Sequence, residues 1–188
     1  MNEHNELIHT ARYIKSLVYG GLDGIITTFA VVTGVIGASL SANVILILGF
    51  ANLIADGISM AAGDYLSTKS EIESHKNKNI FRKITRGKLK SMDRNRSSIK
   101  NAIITFVAFV LFGFIPLFSF VLAFFGLFNG NSFELSIILT FFSLFILGSL
   151  KSKITNKSWI KSGIETLIIG GIASGIAYYV GYLVSGFV

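Results

Sequence analysis

An all-α integral membrane protein of five transmembrane helices, N-terminus in the cytoplasm and C-terminus outside, is the fold class this sequence predicts. Three observations carry the prediction. Five apolar stretches, residues 17–40, 44–66, 102–128, 133–150 and 162–188, are each near the ~20 residues that cross a bilayer as a helix. The 17 lysines and arginines fall in three places only: Arg12 and Lys15 ahead of the first stretch, eleven residues from Lys69 to Lys100, and Lys151, Lys153, Lys157 and Lys161. The connections around Ser41 and Asn43 and around Asn129 to Asn131 carry none, and neither does the end at Val188. Basic residues stay on the cytoplasmic side, so only an odd number of crossings satisfies every connection. Composition agrees, because 52% hydrophobic residues, a mean hydropathy of +0.65 and a single proline leave little polar surface for a soluble domain.

Taken in order, residues 1–16 are a polar cytoplasmic segment. It contains Glu3, Glu6 and Arg12 and shows neither the basic start nor the cleavage site of a signal peptide. Residues 17–188 form one five-helix transmembrane domain with a basic cytoplasmic loop at 67–100. That loop holds eleven basic against three acidic residues, and the part from His75 to Asn95 lacks a sustained apolar face, leaving room for a short helix at most. Nucleic acid is not the expected partner. Topology and anionic lipid headgroups account for the charge, and the aromatics of a base-stacking surface are missing apart from Phe81. Zero cysteines exclude a disulfide framework, a thiolate metal site and a thiol nucleophile. His4, His9 and His75 all fall outside the spans, so no histidine metal site is expected within them. No enzyme activity and no resident cofactor are expected.

The chemistry is sought among polar groups inside the apolar stretches, where ionisable residues are costly and face a pathway or a partner. Asp23 lies six residues into the first stretch and Met60 six before the end of the second, which runs the other way. At 1.5 Å per residue both sit ~9 Å below the cytoplasmic surface. Asp56, one turn from Met60, shares its helical face, with Asn52 beyond it and Asp64 and Glu71 on the cytoplasmic side. Asn52, Asp56, Met60, Asp64 and Glu71 thus trace a polar stripe from mid-membrane to cytosol. Oxygen ligands alone suit magnesium or calcium, and a thioether adds preference for softer first-row metals such as iron(II), manganese(II) or cobalt(II).

Each residue also has a plainer role open to it. Met60 fills gaps in any apolar helix, and Asp64 and Glu71 are close enough to the interface to be solvated. Asp23 and Asp56 have no lysine or arginine at their depth, which marks them as binders of a cation or a proton. Glu165 stands four residues after Lys161, where an ion pair or interfacial solvation is expected. Glu134 reads as a charge at a helix N-terminus, and Thr27, Thr28 and Thr33 as hydroxyls that satisfy backbone carbonyls. Gly20 and Gly24 in the first stretch, and Gly171 and Gly175 in the last, are four apart and predict close helix contacts.

The runs YGGLDGIITTFAVVTGVIGA, GFANLIADGISMAAGDYLSTKSE, FVLFGFIPLFSF and KSGIETLIIGGIASGIAYYVG resemble, in order, the vacuolar iron transporter family, and the resemblance covers the chain from Tyr13 to Gly181. The resemblance implies a homodimer in which the first two spans of each subunit line a path that exchanges cytosolic ferrous iron or manganese for protons. It also implies that the aspartate of the first-span DG motif and the methionine of the second-span ISM motif, here Asp23 and Met60, act in transport. Two departures stand out. The glutamate-rich cytosolic domain of well-known members is replaced by the short basic segment from His75 to Lys100. A glutamate frequent eight residues before the methionine is replaced by Asn52, with Asp56 one turn away.

The expected function is therefore transport of iron(II) or manganese(II) out of the cytosol in exchange for protons, with Asp23, Met60, Asp56, Asp64 and Glu71 as metal residues. The competing classes are a divalent-cation channel and a non-transporting scaffold. The lysine, asparagine, isoleucine and phenylalanine content points to an AT-rich genome, and with it to a bacterial inner membrane rather than a vacuole or other organelle.

Overall fold

In lipid a backbone must satisfy its own N–H and C=O groups, and long apolar runs free of proline do so as helices. The computed structural model describes residues 3–85, 95–155 and 158–187, and every regular element among them is helical. In chain order these are α1 (Glu3–Gly37), α2 (Ala42–Thr85), α3 (Asn95–Gly113), α4 (Ile115–Phe124), α5 (Ser132–Thr155) and α6 (Trp159–Ser185). Four stretches are long and apolar enough to cross a membrane alone: Tyr13–Gly37, Ala42–Glu71, Ser132–Ser152 and Trp159–Ser185. A fifth crossing exists if Ser98–Gly113 and Ile115–Phe124, bent by 50° at their junction, act as one broken span.

That break interrupts the run expected over 102–128, and Pro116 explains it. The proline sits in the first turn of α4, where its missing N–H is harmless, whereas in a continuous helix its ring would strike the carbonyl of Phe112. Two further boundaries differ from expectation. α1 begins at Glu3, inside the segment read as merely polar. α2 runs on to Thr85, so the first part of the expected loop at 67–100 is helical. From Asp64 to Arg86 the chain is polar but contains neither glycine nor proline, and a helix already begun propagates through such residues. The rest of the expected short helix, at 86–94, lies outside the described residues.

α1 is the centre of the bundle, packing on each of the other helices. Its membrane-spanning part is 56% buried, against 11% for that of α6. Ile25 meets Leu144 and Leu147 of α5 on one side, and Phe29, Val32 and Val35 meet Ile45, Leu53, Phe109 and Leu117 on the other. The glycine pair of α1 works as predicted. A side chain at Gly24 would run into the carbonyl of Phe109, and one at Gly20 would come within 2.8 Å of the carbonyl of Thr105. The pair at Gly171 and Gly175 does not behave that way, because Gly175 faces open space and Gly171 meets only the edge of Phe141. α6 approaches α1 instead through Gly181, set against Gly34.

The polar residues at the helix ends settle locally. Asn131 caps α5, accepting from the N–H of Phe133 at 3.1 Å and donating to Glu134 at 2.9 Å, so Glu134 is the N-terminal charge expected of it. The ion pair of Glu165 crosses to Lys151 of α5, at 3.9 Å. Thr27 and Thr33 donate to the carbonyls of Asp23 and Phe29, at 2.8 and 3.0 Å. Thr28 is fully buried, and its hydroxyl has no partner among the described residues.

Candidate functional site

α1 and α2 run in opposite directions and pack together, and Ser16 of one meets Asp64 of the other. Asp23 of α1 is exposed on the flank of the bundle, and Asp56 of α2 is half-buried. Asn52, a turn further into the membrane, is half-buried, and its side-chain NH2 finds no acceptor among the described residues. Toward the basic end of the bundle, Met60 packs partly against the hydrophobic core. It also opens on a cavity of about 410 Å³ between α1, α2 and α3.

That cavity gathers Met60, Asp64 and Glu71 from the predicted stripe, while Asp23 and Asp56 lie outside its wall. The polar groups therefore form two clusters along α2 rather than one continuous set of ligands. Among the described residues, no group of three or more histidine, cysteine, aspartate or glutamate side chains is placed to hold a metal ion. Any cation at Asp23 and Asp56 must draw its remaining ligands from a thioether, amides, hydroxyls, water or a second subunit.

Asp64 is anchored to two neighbouring helices and its own. Its carboxylate accepts from Ser16 of α1 at 2.9 Å, from Thr105 of α3 at 2.5 Å and from Thr68 of α2 at 3.4 Å. Glu71, a further two turns along, is exposed at the cavity rim. Three residues of this cluster are not among those the sequence singles out: Ser16 and Asn101, each one residue outside an apolar stretch, and Thr105. Their signal was nevertheless present, since Asn101 and Thr105 stand four apart in an otherwise apolar stretch of α3 and so share one helical face.

The family model described as the VIT family matches residues 14–83 and 74–182 of this chain. The chain belongs to the VIT family. The vacuolar iron transporter of Toxoplasma gondii is 30% identical, over 97% of this chain and 78% of its own. That of Plasmodium berghei is also 30% identical, over 96% and 85%. Vacuolar iron transporter 1 of Arabidopsis thaliana is 28% identical, over 95% and 89%. These VIT-family relatives carry vacuolar names, and they lend the expectation of a bacterial inner membrane no support. Membership together with the apolar helices makes the chain a multi-pass membrane protein of a transporter family.

Proposed function

We propose that this VIT-family chain carries iron(II), and with it manganese(II), out of the cytosol in exchange for protons, across a vacuolar or other organellar membrane. The observation that carries the reading is the pair of carboxylates Asp23 and Asp56, placed within the first two spans on helices that pack together, with the thioether of Met60 one turn from Asp56. A carboxylate binds a divalent cation only when ionised, so metal binding and proton release form one linked equilibrium wherever the empty site is protonated. The mixture of oxygen and sulfur donors favours first-row metals over magnesium and calcium. The names of the relatives support iron as the cargo.

The working unit is a homodimer with five spans per subunit. Asp23 is exposed on the single chain at a depth where lipid tolerates no bare carboxylate, and a second copy would supply both the cover and further ligands. Segregation of the basic residues supports an N-terminus in the cytosol and a C-terminus on the far side. A tag inserted after Asn129 should react with an impermeant reagent from the far side, and one after Gly87 only from the cytosol; the reverse pattern would overturn the orientation.

Met60 separates this reading from simple packing. Met60→Leu keeps volume and apolarity, so folding should stay within about 1.5 kcal/mol of wild type. Iron(II) uptake should nonetheless fall about tenfold, with manganese(II) uptake, less dependent on sulfur, falling less. Iron(II) uptake at the wild-type rate would return Met60 to the hydrophobic core alone.

A further inference from the structure

The wall of the cavity between α1, α2 and α3 includes a buried asparagine whose side-chain acceptor no group among the described residues satisfies. Asn101 is 3% exposed and lines the cavity, and its carbonyl oxygen Oδ1 has no hydrogen-bond partner among the described residues. An orphaned buried acceptor costs about 1–3 kcal/mol, so it requires a partner. One turn along α3, Thr105 donates to Asp64 at 2.5 Å, which brings the orphaned carbonyl and the carboxylate to the same wall. Ser16 holds that carboxylate from α1 at 2.9 Å. The oxygens of Asp64 and of Asn101 are therefore fixed by three different helices around one space. The exposed Lys15 stands at its rim, where its ammonium competes with an arriving cation.

We propose that this cavity is a separate cation-binding station, an oxygen-ligand site within one subunit that takes a partly hydrated divalent cation before the Asp23–Asp56 pair does. The donor set is a carboxylate, an amide carbonyl and hydroxyls, the ligand chemistry of a hard divalent ion. At about 410 Å³ the space is much larger than a bare ion, and each retained water takes about 30 Å³, so the ion enters with much of its hydration shell. Met60 forms the membrane-side wall, so an ion leaving this station meets the thioether next. Only the direction of traffic rests on the transport reading, and binding at the station does not.

Mn²⁺ is the probe, because free and bound ion are distinguished by electron paramagnetic resonance. The full chain in detergent micelles is titrated in an Asp23→Asn background, which removes the other candidate site. One Mn²⁺ should still bind. Adding Asn101→Leu, which leaves the hydrogen bonds of Asp64 intact, should weaken that binding about tenfold, and adding Asp64→Asn should weaken it at least as much. Size exclusion and thermal unfolding establish that each variant is folded, and Asn101→Leu carries the test if Asp64→Asn is not. Unchanged Mn²⁺ affinity in Asn101→Leu, or loss of all binding in Asp23→Asn alone, overturns the station. If wild-type protein transports metal while Asn101→Leu binds as its parent does, the station fails and the transport reading stands. If the station binds Mn²⁺ but wild-type protein moves no metal, the opposite holds.

Discussion

Asp23→Asn is expected to reduce both metal uptake and metal-evoked proton movement to the leak of protein-free vesicles, with the protein folded and inserted. An amide matches the carboxylate in shape, and on the exposed flank of α1 it disturbs no buried packing. What disappears is the charge that holds a divalent cation and the proton that the cation displaces. Asp56→Asn should weaken transport and coupling less completely, because Asn52 shows that an amide is accommodated one turn away on the same face and Asp23 retains its charge. Both variants are read by metal uptake together with lumenal pH in proteoliposomes. Proton-coupled uptake at the wild-type rate in Asp23→Asn would remove the carboxylate exchange, leaving a channel or a proton carrier elsewhere, such as Asp64 or Glu165.

Gly24→Val is expected to be the most damaging single change to the fold. The added side chain would be driven into the backbone carbonyl of Phe109, and on the reciprocal side Gly113 already stands against the carbonyl of Gly24. Backbone on both sides cannot swing away as a flexible side chain would, so α1 and α3 must separate and the cores around Phe29 and Ile25 lose contact with them. Overpacking of this kind costs typically 1–3 kcal/mol, and a backbone clash belongs at or above the upper end. Gly175→Ala is the matched control, because a methyl there meets nothing within 4 Å and alanine is the better helix former by about 1 kcal/mol. Thermal unfolding in detergent should show a large loss for the first and none for the second. Equal stability of the two variants would mean that the α1–α3 contact does not hold the bundle together.

Much of this architecture is legible in the sequence because lipid imposes it. Apolar length and the segregation of lysine and arginine mark the long helices α1, α2, α5 and α6. The break at Phe114 was foreshadowed by the chain's single proline, yet apolar composition alone is blind to a bend. The extension of α2 to Thr85 went unseen for the opposite reason: polar residues read as a loop, although nothing there breaks a helix. Glycine spacing is ambiguous in a similar way. Gly20 and Gly24 face α3, while Gly171 only touches the edge of Phe141 and Gly175 faces open space, and a four-residue spacing does not say what lies opposite.

At the candidate site, Asp23, Asp56, Met60, Asp64 and Glu71 all stood out as polar or soft groups in an apolar context. Their division into a pair and a cavity did not, because it depends on Ser16, Asn101 and Thr105, which reach Asp64 or its cavity from α1 and α3. Such uncharged residues are common at helix contacts, and only the three-helix packing distinguishes them from ordinary ones.

The central claim, that this chain is a proton-coupled carrier of divalent metal, is tested most directly by iron(II) uptake into proteoliposomes with the cytosolic face outward, with and without an acidic lumen. A carrier should show uptake that saturates with iron(II) concentration, rises when the lumen is acidic and raises lumenal pH as iron enters. Uptake that neither saturates nor responds to the proton gradient would contradict the account in favour of a channel, and iron(II) entry no faster than into protein-free vesicles would contradict transport altogether.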